Sequence, residues 1–216
     1  MLDDRARDEI LATLHGAGVT VVEELFDPGL VVAGRVPRPL AARDGGVIAV
    51  SSFSKVLFPG LRVGWIAGPR EVLARVAAVK RATDLSGSPF LEATALSLCR
   101  RGQLEAQTER LRTAAGERLA IVRAALAGAP PGTGWSVPRG GFSLLVELPP
   151  RVSSRAVAAR AAALGVWVLP GPAMSVGGRD DVLRLAYAAV GGEHLRAGVA
   201  SVVEAMAAPA SLLAMV

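Results

Sequence analysis

The sequence predicts an α/β fold in two parts. Three observations carry this. Short β-rich runs alternate with stretches of helical periodicity through the first 126 residues. A Pro/Gly-rich break, AGAPPGTG at 127–134, then interrupts the alternation. Beyond it, strand signals flank fewer helices in a smaller α+β pattern. The expected domains are therefore 1–126 and 127–216.

The elements follow in order. Asp3 to Gly16 places Ala6, Ile10, Leu11 and Leu14 at helical spacing, and Gly16 and Gly18 end it. Val19 to Glu24 is short and β-rich, a strand, and Asp27-Pro28-Gly29 is a turn. Val47 to Val50 is wholly apolar, as for a strand buried on both faces. Val63 to Ala67 is a third strand. Pro69 opens a helix to Thr83 and Pro89 another to Arg101, each at a position where the missing N–H costs nothing. A long amphipathic helix covers Leu104 to Leu126. After the break, strands are expected at Trp135–Val137, Phe142–Glu147, Val166–Leu169 and Val182–Tyr187. Helices are expected at Ser154–Leu164 and Glu193–Met206.

Composition excludes several classes. At 51% hydrophobic and 20% charged residues the chain is globular, not disordered. One cysteine, Cys99, excludes an intramolecular disulfide framework and a multi-cysteine zinc site, and fits a cytoplasmic setting. No apolar run reads as a membrane span; Ala161–Gly178 contains prolines and glycines, and the apolar tail AMAAPASLLAMV is too short. The net charge of +5 is spread along the chain without a basic stripe interleaved with aromatics, so no direct nucleic-acid contact is expected.

Of the 24 cationic side chains, only Lys55 and Lys80 are lysines. Arginine cannot surrender its proton at ordinary pH, so a retained lysine marks a place where chemistry can require an amine. Lys80 lies in a helical context and reads as a surface charge. Lys55 lies in Ser51-Ser52-Phe53-Ser54-Lys55-Val56-Leu57-Phe58-Pro59-Gly60-Leu61-Arg62-Val63-Gly64-Trp65, between two strand signals. Two hydroxyls, Ser52 and Ser54, sit three and one residues before it, and an arginine follows after a Pro-Gly bend. Hydroxyls and a guanidinium suit a phosphate. An amine beside a bound phosphate ester suits an aldehyde cofactor held as a Schiff base.

This stretch resembles the cofactor-lysine motif of fold-type I pyridoxal-phosphate enzymes, aminotransferase class I/II. It is most similar to the aminotransferase-like domain of MocR-type regulators of the GntR family, where a winged-helix DNA-binding domain is fused ahead. Gly140-Gly141-Phe142, Leu169-Pro170-Gly171 and Leu183-Arg184-Leu185 resemble later landmarks in the same order. The resemblance implies the C-terminal part of the large mixed-sheet domain, followed by the small α+β domain. It implies pyridoxal 5'-phosphate as cofactor, attached at Lys55, whose freed amine moves the substrate Cα proton. It implies Ser52 and Arg62 on the phosphate, with Ser54 supporting the loop, and Arg184 on the substrate carboxylate. Gly140 and Gly141 fit a substrate-side role or a plain hairpin turn. The substrates implied are an amino acid or amine and a 2-oxo acid, at a site the family builds in a homodimer.

Two departures from the family bear on function. Where the family places an aspartate against the pyridine nitrogen, this chain has Glu24, with adjacent Glu23 as the competing residue because neighbours on a strand face opposite ways. Where the family has a tyrosine, this chain has Phe26. The chain also starts where such a domain is half built, so it is expected to be a fragment or a reduced relative. An effector-sensing part of a MocR-type regulator and an inactive remnant remain as alternatives.

Overall fold

The computed structural model describes residues 2–25 and 28–207, so Phe26 and the tail beyond Ala207 lie outside the described residues. The chain divides into two compact units, Met1–Arg112 and Thr113–Val216.

In the first unit, helix α1 (Asp4–Gly16) begins at Asp3, whose carboxylate accepts the Ala6 N–H at 2.8 Å. Leu11 on its inner side packs with Leu40 and Val47, and Val21 and Ala41 pack around them. The turn at Leu40–Ala42 is fastened to the same helix by Arg43, which pairs with Asp4 and with Asp8. Strand β1 (Val22–Glu24) is shorter than the sequence predicts. The residues ahead of it close the helix. Gly18 takes a positive φ of 65°, its N–H donates to His15 O at 3.0 Å, and the Val19 N–H donates to Leu14 O at 3.0 Å.

Strand β1 pairs in parallel with β2 (Ile48–Ser52), which pairs antiparallel with β3 (Gly64–Ala67). The apolar run at 47–50 is not buried on both faces. Val47 and Ala49 are buried, whereas Ile48 and Val50 are only half-buried, and every residue of β3 is exposed. Helix α2 (Arg70–Asp84) follows Pro69 and buries no side chain. Helix α3 (Pro89–Arg100) is capped by Ser88 and buries Ala95.

Helix α4 (Gln103–Leu126) leads into the second unit, where Ala115, Leu119, Val122 and Leu126 recur at three- and four-residue intervals and are all buried. The 127–134 break ends this helix. The sheet that follows has the order β4 (Gly134–Trp135), β5 (Ser143–Glu147), β7 (Val182–Ala186), β6 (Leu169–Pro170), antiparallel throughout. Its core face carries Leu144 and Val146 of β5 and Leu183 and Leu185 of β7. Helices α5 (Ser154–Ala163) and α6 (Gly192–Ala207) pack on each other. They supply Val157, Ala161, Val199 and Val202 to the core. Strand β6 again falls short of the predicted 166–169. Gly165 has φ 81°, its N–H donates to Ala162 O, and the Val166 N–H donates to Ala161 O, so this Gly-Val pair closes α5 as Gly18-Val19 closes α1. No helix among the described residues is long and apolar enough to cross a membrane.

Candidate functional site

The register of β1 and β2 sorts the acidic pair. Glu23 is level with Ala49 and Glu24 with Val50. Paired residues share a face and successive residues alternate, so Glu24, Val50 and Ser52 lie on one face and Glu23 on the other. Glu23 is committed there: its carboxylate pairs with Arg7 at 2.8 Å and accepts the Ala41 N–H at 3.1 Å, both part-buried. Glu24 is exposed.

Strand β2 ends at Ser52, and a single 3-10 turn at Phe53–Lys55 follows, with Phe53 N–H donating to Val63 O at 3.0 Å. Val56, 2% exposed, anchors this turn, and Leu61, fully buried, anchors a second turn at Pro59–Leu61 packed against the first. Two buried apolar anchors therefore hold a polar loop in a fixed shape. The Lys55 side chain is exposed on it. Arg62 follows in the left-handed region, φ 51° and ψ 29°. Among the described residues, the side chains of Glu24, Ser52, Ser54, Lys55 and Arg62 have no hydrogen-bond or ion-pair partner. These polar groups belong to one face and the loop that continues it, at the carboxyl ends of two parallel strands, where open α/β sheets receive ligands.

Two supporting residues carried no signal in the sequence. Gly64 faces Ser52 across β2 and β3, and a Cβ there would lie 2.8 Å from Ser51 O. Ser51 Oγ donates to Leu25 O at 2.8 Å. A serine beside a motif serine and a glycine in a strand are legible only once register is known.

In the second unit, Arg184 stands on the exposed face of β7, level with Leu145 on one side and Leu169 on the other. Its Nε donates to Ser143 Oγ at 3.0 Å. Gly141 has φ 91°, and its carbonyl accepts the hydroxyl of fully buried Tyr187 at 2.9 Å, while the Tyr187 N–H donates to Phe142 O at 2.9 Å. Burial pushes the Tyr187 phenol above its ordinary value. Ser143 and Tyr187 were not singled out from the sequence. The remaining residues behave as surface or packing groups. Lys80 pairs with Asp84 one helical turn on, His15 pairs with Asp44, and Cys99 is half-buried.

The chain is similar to known proteins in sequence and fold. The chain is 27% identical over 202 residues to an uncharacterized HTH-type transcriptional regulator, YdfD, of Bacillus subtilis, covering 92% of this chain and 42% of that one. It is 32% identical over 201 residues to a 2-aminoadipate transaminase of Thermus thermophilus, covering 90% and 50%. Among solved structures it superposes on LysN, an α-aminoadipate aminotransferase of Thermus thermophilus complexed with N-(5'-phosphopyridoxyl)-L-leucine. The TM-score is 0.86 and the identity 29%, over 98% of this chain and 55% of that one. The chain thus spans about half the length of these relatives, and its fold is part of the fold-type I aminotransferase fold. The profile of the family described as aminotransferase class I and II matches residues 11–202, running through both compact units, and the chain belongs to that family.

Proposed function

We propose that this chain binds pyridoxal 5'-phosphate at Lys55 and serves an aminotransferase acting on an amino acid or amine and a 2-oxo acid. The observation that carries this reading is the shared face of Glu24 and Ser52, continued by Ser54, Lys55 and Arg62, all polar and without protein partners among the described residues. Such groups fit the cofactor in kind. An amine meets an aldehyde, hydroxyls and a guanidinium meet a phosphate, and a carboxylate meets a pyridine nitrogen. Bound there, the cofactor supplies an aldehyde to carry the amino group and a ring that accepts the electron pair released at the substrate Cα.

The chain's own residues then have distinct tasks. Ser52 and Arg62 hold the phosphate, and Ser54 supports the loop. Glu24 keeps the ring nitrogen protonated; it reaches one methylene further than an aspartate would. Lys55 would be the attachment residue, and its Nζ, freed when the substrate amine takes its place, would take the proton from the substrate Cα. Arg184 is assigned the substrate carboxylate. With Nε donating to Ser143, its two terminal nitrogens are the pair left for a bidentate contact. Gly141 is assigned to the substrate side. The family's homodimer is the assembly proposed.

The test is direct. Titration with pyridoxal phosphate is expected to give a visible absorbance band, and borohydride is expected to fix the cofactor to Lys55, located by peptide mass. Lys55→Ala must lose both. Identical titrations of wild type and variant would sink the cofactor reading.

A second reading, ligand capture without turnover inside a transcription regulator, is favoured by Phe26, which lacks the hydroxyl the family places there. The similarity to an HTH-type regulator supports it as well. A winged-helix segment encoded upstream of Met1 is the observation that supports the regulator. A continuous first half-domain without one supports the enzyme.

A further inference from the structure

Ser51 sits between Val50 and Ser52, and none of the roles above uses it. Its half-buried side chain lies on the face opposite Ser52, and its Oγ donates to Leu25 O at 2.8 Å. The main-chain ladder between β1 and β2 stops at the Glu24–Val50 pair. Beyond that pair Leu25 is held at both its polar groups. Its N–H donates to Val50 O at 2.8 Å, and its carbonyl accepts the Ser51 hydroxyl. A side chain therefore supplies the bond that one more rung of the ladder would have supplied. That bond joins the residue after Glu24 to the residue before Ser52. Ser51 is fixed on its other side too, level with Trp65 of β3.

We propose that Ser51 is a positioning residue for the cofactor site: its hydroxyl holds the end of β1, and so the Glu24 carboxylate, in fixed register with Ser52 to Lys55. The proposal rests on the cofactor reading above. A cofactor gripped at its phosphate from one strand end and at its ring nitrogen from the other needs the two ends at constant separation. Without the clamp, part of the binding energy goes into ordering the strand ends. Ser51 does this without touching the cofactor.

The test compares wild type, Ser51→Ala, Ser51→Thr and Lys55→Ala. Each is titrated with pyridoxal phosphate by absorbance across a pH series, and amide hydrogen exchange is followed on the unliganded chain. Ser51→Ala is expected to bind the cofactor about tenfold more weakly, as for loss of one part-buried hydrogen bond. The pH midpoint of the bound absorbance is expected to move, because Glu24 is no longer held against the ring nitrogen. Exchange is expected to rise at the Leu25 and Phe53 amides and not in α5. Ser51→Thr, which keeps the hydroxyl, is expected to restore all three.

A wild-type affinity and midpoint in Ser51→Ala, beside a lost band in Lys55→Ala, overturns the positioning role and leaves the cofactor reading standing. Unchanged exchange at Leu25 overturns the clamp by itself. A wild type with no band and no trapping at Lys55 overturns both. Should Ser51→Ala fail to fold, Ser51→Cys, a weaker donor of similar volume, carries the same comparison.

Discussion

At Gly64 the space between two strands decides which residue is possible. A methyl group would meet Ser51 O at 2.8 Å, and that oxygen belongs to backbone, which cannot swing aside. Gly64→Ala is expected to cost about 1–3 kcal/mol by overpacking, read as a lower urea midpoint with the slope unchanged. Because Ser51 moves with its carbonyl, the same variant is expected to raise exchange at Leu25. The glutamate pair makes the same point about register. Glu23 and Glu24 are alike in residue type, and in the sequence only the family resemblance favours Glu24. Their difference appears only when Glu23 is found spent on Arg7 and the Ala41 N–H, and Glu24 on the opposite face.

Among the elements, α5 shows how a helix start fastens a loop. The Asp180 carboxylate accepts from Ser153 Oγ at 2.6 Å, Ser154 Oγ at 2.7 Å and the Arg155 N–H at 3.0 Å, and buried Ser154 in turn accepts the Gly171 N–H at 3.1 Å. Hydrogen bonding, led by Ser153, holds the Asp180 carboxyl below its ordinary value. A carboxyl lowered in the folded state contributes stability that is present above its unfolded value, about 3.9, and lost as pH falls through its folded value. Thermal melts are therefore expected to show a steeper loss of stability below about pH 4 for wild type than for Asp180→Ala. At neutral pH the variant is expected to be weaker by about 1–2 kcal/mol from the lost bonds.

Elements were also where the sequence was most legible, with one systematic exception. Every helix from α1 to α6 was expected within a residue or two of its place, because apolar spacing and caps are local signals. Strands β1 and β6 came out short for a shared reason. After Gly18 and after Gly165 a valine reads as strand by propensity, yet its N–H reaches back five residues to close the helix. The lysine loop was legible because its residue types and spacing are contiguous. Ser143, Ser51 and Tyr187 were not, because their partners lie across strands.

For the whole molecule, hydrophobic composition measured how much apolar surface the chain has but not how much it covers. Helix α2 fully buries no side chain, β3 is exposed throughout, and Leu85 and Phe90 are 84% and 77% exposed. Apolar surface of this kind drives association. Sedimentation is expected to show a mass that rises with concentration, and Leu85→Ser with Phe90→Ser is expected to lower that dependence without lowering the melting temperature. An unchanged dependence would place the sticky surface elsewhere.

Arg62 stands where a glycine would be at ease: its backbone is left-handed at φ 51°, a region that costs an ordinary side chain roughly 1 kcal/mol or more. Arg62→Gly is therefore expected to melt at the same temperature or higher while binding pyridoxal phosphate less tightly. Selection for robustness alone would favour the glycine, so a laboratory search for thermostable variants of this chain would tend to erase the proposed phosphate contact.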